Sequence, residues 1–152
     1  MRHRVGGYKL KRDKDQRKML LRNLVTAVVE RDRIVTTITK AKAIQPLVEN
    51  MVTLAKKDSL ASRRQAAAYL TTPDSVKRLF DEVGSKFGQR AGGYTRIVRV
   101  GPRKGDGAEM AILEFVGTAL VKRAAERAKR REERPKAMKE GREGEEGGEQ
   151  QS

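Results

Sequence analysis

The sequence predicts an α+β fold, with about four helices packed on one face of a small, roughly three-stranded sheet that contains an antiparallel hairpin. Three observations support this class. Apolar residues recur at helical spacing in four successive segments. Two β-type runs flank a loop further along the chain, and a third β-branched run follows the first helical segment.

Composition divides the chain into three regions. Residues 1–18 are rich in Lys and Arg and poor in apolar side chains, so they form a basic arm that runs into the first helix. Residues 19–116 have the periodicity of a globular domain. Residues 117–152 begin as an Ala, Glu, Lys and Arg segment and end in the acidic sequence GREGEEGGEQQS. We therefore expect a charged helical extension followed by disorder.

The first helix is predicted over residues 15–31, because Leu20, Leu24 and Val28 fall on one side of it. The β-branched residues 34–38 then favour a strand.

A second helix is predicted over residues 43–57, which carry apolar side chains on one side. Pro46 would kink this helix or mark its true start, because proline has no amide hydrogen to donate. Ser59 can cap a third helix over residues 60–70.

Thr72, Pro73 and Asp74 predict the start of a fourth helix, since they supply a capping hydroxyl, a proline and an acid in the first turn. Phe80 belongs to its buried face, and Gly84 suits its C-terminal stop.

The last part of the globular region predicts a hairpin. Residues 94–100 alternate in polarity, residues 110–116 form a second β-type run, and a long basic loop joins them. The strand after the first helix is a plausible third partner. One side of the first hairpin strand carries Tyr94, Arg96, Val98 and Val100.

The charge of the chain restricts its partners. Among 152 residues, 35 Lys and Arg outnumber 20 Asp and Glu, which gives a formal net charge of +15. An excess of that size needs an anionic counterpart, either a nucleic acid, an anionic membrane surface or an acidic protein. No stretch approaches the roughly 20 apolar residues of a membrane span, and the basic N-terminus lacks the apolar segment of a signal peptide. We expect a cytoplasmic protein, which agrees with the absence of Cys.

Enzymatic chemistry has little support in this composition. There is no Cys, and His3 is the single His, so no metal site, cofactor or nucleophile–base pair is predicted. The loop sequence GPRKGDG, residues 101–107, resembles a phosphate-binding loop but is followed by a strand instead of a helix. We interpret it as a hairpin turn.

The arrangement of the cations favours RNA. If the first helix extends back far enough, Lys11, Lys14, Lys18 and Arg22 share its side away from the apolar stripe. Tyr8 is the one ring that we expect to stack on a base, whereas Phe80 and Phe115 occupy core-type positions. Several separate cationic sites suit folded RNA better than one straight duplex. The predicted contacts are Tyr8, Lys9, Lys11, Arg12, Lys14, Arg17, Lys18, Arg22, Arg63, Arg64, Arg90, Arg96, Arg99, Arg103 and Lys104.

Several motifs resemble a known family. In order along the chain they are MRHR, TTITKAKAI, LAKKDSLASRR, the triplet Arg78-Leu79-Phe80 and RAGGYTRI at residues 90–97. Together they resemble the bacterial large-subunit ribosomal protein family numbered seventeen. The likeness runs from Met1 to about Val116, and RAGGYTRI is its most specific part.

The resemblance implies a small α+β protein assembled on large-subunit rRNA beside neighbouring ribosomal proteins, with no catalysis and no cofactor. It implies RNA contact by the N-terminal Arg2, His3 and Arg4. It further implies contact by Arg63, Arg64, Arg90, Gly92, Gly93, Tyr94 and Arg96. The arm sequence VGGYKLKRDKDQRK departs from the family's usual arm. The extension is absent from short members; we favour contact of residues 122–131 with another rRNA helix over plain solvation.

The leading hypothesis is thus a structural rRNA-binding constituent of the bacterial large ribosomal subunit. The alternative is a nucleoid-associated architectural DNA-binding protein, which the charge supports without any groove-reading motif. An enzyme acting on RNA is the least supported reading.

Overall fold

The helices and strands follow the periodicity of the sequence. The computed structural model describes residues 7–117. Arg2, His3, Arg4 and nearly all of the extension lie outside this part of the chain. The elements, in order, are α1 (Lys14–Arg31), β1 (Arg33–Thr37), α2 (Ile38–Lys57), α3 (Leu60–Tyr69), α4 (Pro73–Arg78), a π-helical segment (Leu79–Gly84), β2 (Thr95–Pro102) and β3 (Glu109–Phe115). The predicted α+β class is confirmed.

The sheet has the order β1-β3-β2, and both pairings are antiparallel. The predicted hairpin and its third strand are therefore confirmed. Ile34 of β1 and Ile97 of β2 both lie opposite Leu113 of the central strand, on the side that faces the helices. Val35 and Val98, which lie opposite Ile112, are exposed on the other side of the sheet.

The core lies between this sheet and α2. Helix α2 packs against α1, α3, the π-helical segment and all three strands. Its buried side chains include Ile44, Val48 and Val52, and the inner side of β3 supplies Leu113 and Phe115. Phe80 and Phe115 are buried, as predicted. Burial of this shared apolar surface is what fixes the helices on one face of the sheet.

The predicted start of α2 is wrong. The helix begins at Ile38, directly after β1, and Pro46 lies inside it. Ala41 and Ile44 are fully buried, so their packing holds the first turns helical although Pro46 cannot donate its hydrogen bond. The exposed proline ring lies on the side away from the core.

The predicted caps have mixed outcomes. The Ser59 side chain accepts a hydrogen bond from the Ser62 amide (3.1 Å), so the cap of α3 is confirmed. Thr72 precedes α4 as predicted, but its hydroxyl makes no capping bond and donates instead to Glu30 of α1 (2.8 Å).

Gly84 does not stop the fourth helix. It is buried in the π-helical segment, and the next residue, Ser85, is still helical. A Cβ placed on Gly84 would lie 3.2 Å from both the Cβ and the carbonyl oxygen of Ala55. The glycine is therefore needed for the close approach of this segment to α2.

The hairpin strands approach each other's ends more closely than predicted, but their pairing is interrupted by a bulge. β2 extends to Pro102 and β3 begins at Glu109, so the connecting loop is shorter than residues 101–109. A bulge between Arg99 and Gly101 takes Val100 out of the predicted alternation. Tyr94 precedes the strand and is buried, so it does not share an exposed side with Arg96.

Candidate nucleic-acid interface

The basic arm enters α1 through a tight turn. The Arg12 amide donates to the Lys9 carbonyl oxygen (3.2 Å), and both Leu10 (φ 56°) and Lys11 (φ 49°) are left-handed. Two such residues cannot continue a right-handed helix. Lys11 is therefore outside α1, and the predicted helical face of four cations is wrong at this end.

Three cations remain on the first turns of α1. Lys14, Arg17 and Lys18 are three and four residues apart, so they share one side of the helix. None of them makes an ion pair or a side-chain hydrogen bond with another described residue. Asp13 and Asp15 lie at the start of the helix, where the dipole favours acids.

Arg22, the other end of the predicted face, is used within the fold. Its Nε donates to the Tyr69 carbonyl oxygen (2.6 Å) and its second nitrogen to that of Ala68 (3.2 Å). These are the last carbonyls of α3, which have no helical partner. Burial raises the pKa of the Tyr69 phenol, and the charge of Arg22 opposes that rise. Arg22 thus joins α1 to α3 and is less suited to a phosphate than predicted.

A groove lies between the arm, α1 and α2, with a volume of about 410 Å³. We call it the arm groove. Tyr8, Lys9 and Arg17 line one part of it, and Lys42 and Pro46 of α2 line another. The sequence does not indicate Lys42 as a site residue, because the predicted α2 begins after it, and it indicates Pro46 only as a kink or a helix start. With the helix starting at Ile38, their four-residue spacing places them on one side.

Arg63 and Arg64 behave differently although they are neighbours. The Arg63 guanidinium pairs with Asp58 (2.7 Å) and lies over the Phe80 ring, 4.8 Å from its centroid. Arg64 is exposed and has no such partner among residues 7–117. Of the two, Arg64 is better placed for RNA.

The loop before β2 is held together by its own polar contacts. The Arg90 Nε donates to the Gly92 carbonyl oxygen (3.0 Å), and Gly93 has the left-handed backbone (φ 62°) that glycine tolerates. Tyr94 is 3% exposed, packs on Phe87 with 5.3 Å between ring centroids, and donates to the Ala91 carbonyl oxygen. Its buried ring argues against the predicted direct contact with RNA.

On the hairpin, two of the predicted arginines have acidic partners. Arg96 Nε donates to Glu114 (2.7 Å), whose side chain is almost completely buried in the central strand. Arg103 pairs with Asp106 across the hairpin loop, and this pairing lowers the pKa of the Asp106 carboxyl and raises that of Arg103. Arg99 and Lys104 are exposed and make no side-chain bond within the described region.

Other site types gain no support within residues 7–117. No group of three or more His, Asp and Glu side chains there could hold a metal ion. None of the described helices is both long and apolar enough to cross a membrane.

Comparison with known proteins decides the family. The family model described as ribosomal protein L17 matches residues 20–116, which is most of the described fold. The chain belongs to the ribosomal protein L17 family. This result agrees with the resemblance in the RAGGYTRI segment and its companions.

Individual L17 relatives are similar over most of this chain. It is 70% identical over 129 residues to the large ribosomal subunit protein bL17 of Solibacter usitatus, covering 85% of this chain and 86% of that protein. The bL17 protein of Koribacter versatilis is 53% identical over 135 residues, covering 85% and 84%. That of Natranaerobius thermophilus is 60% identical over 108 residues, covering 71% of this chain and 96% of the relative.

Two groups of cations can now be distinguished on this L17 domain. In the first, no member has a side-chain partner among the described residues; we call it the arm cluster, and it contains Lys9, Lys11, Arg12, Lys14, Arg17 and Lys18. In the second, three of the members are bonded within the fold; we call it the hairpin cluster, and it contains Arg90, Arg96, Arg99, Arg103 and Lys104.

Proposed function

We propose that this protein is a structural constituent of the bacterial large ribosomal subunit and binds large-subunit rRNA through contacts of Lys and Arg with phosphates. The observation that carries the proposal is the 70% identity, over 85% of the chain, to a protein named large ribosomal subunit protein bL17. The proposal includes no catalytic step and no cofactor. Its setting is the large subunit in the cytoplasm, among other ribosomal proteins.

Within this function, the arm cluster makes the main phosphate contacts. Its side chains are exposed, or partly exposed in the case of Arg17, and have no internal counter-charge in the described structure, so an RNA phosphate can replace water without breaking an existing ion pair. Arg64, Arg99 and Lys104 are secondary contacts for the same reason. Arg2, His3 and Arg4 remain predicted contacts that rest on the family resemblance alone.

The remaining predicted residues serve mainly the fold. Arg22, Arg63, Arg90, Arg96 and Arg103 each donate to a carbonyl or carboxylate oxygen of the domain, and Tyr94 is buried. Gly93 supplies a left-handed turn in the loop that precedes β2, and the Gly92 carbonyl oxygen accepts the hydrogen bond from Arg90 there. By keeping the helices and the hairpin in place, these residues support the surfaces that face the RNA.

Sedimentation of ribosomal subunits tests this function. We expect the full-length protein to co-migrate with large subunits at one copy per subunit and to stay bound in a high-salt wash. Multiple phosphate contacts would also give purified protein and protein-free large-subunit rRNA a steep log–log salt dependence, with a slope of several units. Co-purification with genomic DNA and absence from washed subunits would favour the architectural DNA-binding alternative.

A further inference from the structure

The arm groove has the size of a small-ligand site. Its volume of about 410 Å³ falls within the range of roughly 300–1,000 Å³ that is usual for pockets that enclose a small molecule. Leu21, Ala43 and Leu47 supply an apolar wall. Contacts with phosphates alone would need neither a concavity nor apolar lining, because phosphates bind on open cationic surfaces. The groove therefore suits a ligand with a flat apolar part.

Tyr8 supplies an aromatic face at this groove. Its side chain is 45% exposed, and its ring contacts no other aromatic ring in the described structure. The chain just after it passes through the left-handed residues Leu10 and Lys11. Left-handed leucine is uncommon, and such strained backbone occurs preferentially at ligand clamps. The turn thereby holds a solvent-accessible ring at the mouth of the groove.

The charges around the groove select an anion. Lys9, Arg17 and Lys42 line it, and no acidic residue does. None of these three cations forms an ion pair within residues 7–117. A ligand that places one face on Tyr8 would thus have its negative group within a purely cationic rim.

We infer that the arm groove binds a single unpaired nucleotide of the rRNA. The base stacks on the Tyr8 ring against the apolar wall, and Arg17 and Lys42 hold the phosphate. Splayed-out bases stacked on aromatic side chains are a common means of RNA recognition. This inference rests on the proposed function. It adds one local contact, which depends on base stacking, to the more dispersed contacts of Lys and Arg with phosphates.

Binding of full-length variants to protein-free large-subunit rRNA tests the stacking. Tyr8→Ala should weaken binding by about 5- to 150-fold, the range that one stacked base contributes, with an unchanged salt slope because no phosphate contact is lost. Tyr8→Phe keeps the ring and should bind like the wild type. Met19→Ala is the matched control, since Met19 is exposed to a similar extent (47%) on α1 but does not line the groove. Lys42→Gln should reduce the salt slope by about one unit.

A titration with free nucleotides examines the groove without rRNA. Adenosine 5′-monophosphate should shift the nuclear magnetic resonance signals of the Tyr8 ring and the Leu47 amide, and Tyr8→Ala should abolish the saturable shifts. Uridine 5′-monophosphate should bind more weakly, because its smaller base stacks on the Tyr8 ring with less area.

The outcomes separate this inference from the function on which it rests. If the wild type binds the rRNA but Tyr8→Ala binds equally well, the groove inference is wrong and the proposed function stands. If Tyr8→Ala binds naked rRNA normally but is lost from assembled subunits, the groove holds a segment of a neighbouring protein instead. Failure of the wild type to bind the rRNA would overturn both.

Discussion

The arm cluster and the hairpin cluster contain the same residue types and are equally conspicuous in the sequence. They are used differently in the fold. Lys14, Arg17 and Lys18 project from α1 with no counter-charge in the described structure, whereas Arg96 neutralises a buried glutamate and Arg103 an acid of its own loop. Net charge and clustering alone therefore overestimate how many cations a domain can offer to a nucleic acid.

The difference follows from electrostatics and desolvation. A solvated lysine loses bound water when it contacts a phosphate, and the release of counterions from the RNA favours this contact. An arginine that already pairs with a carboxylate must first lose that partner, and where the carboxylate is buried the loss is costly. We therefore expect the paired Arg96 to contribute more to the stability of the domain than to RNA binding, and the arm cluster to be available for the proposed RNA contacts.

The largest effect on RNA binding is expected when three cations of the arm cluster are neutralised. Changing Lys14, Arg17 and Lys18 together to Gln should weaken binding to protein-free large-subunit rRNA on the order of 100-fold, at about 1 kcal/mol for each charged contact. The salt slope should fall by about two to three units, and filter binding at several salt concentrations measures both. The melting temperature should barely change, because these side chains make no internal bonds in the described part of the chain.

The matched control removes the same charge elsewhere. Arg63, Arg90 and Arg103, each bonded within the domain, are changed together to Gln. We expect a slope change below about one unit. Equal losses of affinity in the two triple variants would show that the internal partners do not matter and would end the distinction between the clusters.

A second test concerns stability. Arg96→Gln should lower the free energy of unfolding by about 1–3 kcal/mol, because Glu114, 5% exposed, would lose its charged partner. Urea denaturation measures this change. The double variant Arg96→Gln with Glu114→Gln should recover part of the loss, and Lys14→Gln should stay within about 0.5 kcal/mol of the wild type. Unchanged stability with weaker RNA binding would instead make Arg96 an RNA contact.

The smallest effect on rRNA binding is expected when Arg103 of the hairpin cluster loses its acidic partner. Asp106→Asn removes the partner of Arg103 and should strengthen rRNA binding by at most about threefold, because the pair lies at the solvent-exposed surface. The hydrogen bond from Arg103 lowers the pKa of Asp106. The contribution of the pair is thus present above about pH 4, the usual pKa of a free aspartate, and is lost as pH falls through the lowered value.

Two measurements check this last prediction. The effect of Asp106→Asn on rRNA affinity should be constant between about pH 5 and 8, since Asp106 stays charged there in the wild type. The hairpin amides, followed by nuclear magnetic resonance, should titrate only at more acidic pH. A gain of tenfold or more in affinity would mean that Asp106 restrains a major RNA contact.

Most of the fold could be predicted from local pattern. The apolar spacing around Val28 and the β-branched residues from Ile34 onward placed α1 and β1 within one residue. The start of α2 could not be predicted, because Pro46 lowers local helix preference and only the burial of Ala41 and Ile44 outweighs it. The predicted helix stop at Gly84 is wrong for a similar reason. Gly84 lies close to Ala55 of α2, and the sequence around Gly84 does not indicate this contact.

Only part of the candidate interface could be predicted from the sequence. The distribution of charge along the sequence indicates the arm cluster. It does not indicate that Arg22 bonds the end of α3, whose carbonyl groups are 46 and 47 residues away in sequence. Nor does it indicate that Arg96 bonds Glu114, which is 18 residues away. It also missed Lys42, which reaches the arm groove through the packing of α2 beside the arm.

The sequence by itself determined the α+β class, the excess of positive charge and the family motifs, because periodicity, composition and short motifs are local properties of the chain. Only the tertiary structure decided which cations are already paired and where a ring, a proline and a lysine meet in one groove. Pairing and burial depend on distances between residues that are far apart in sequence, and folding alone brings those residues together.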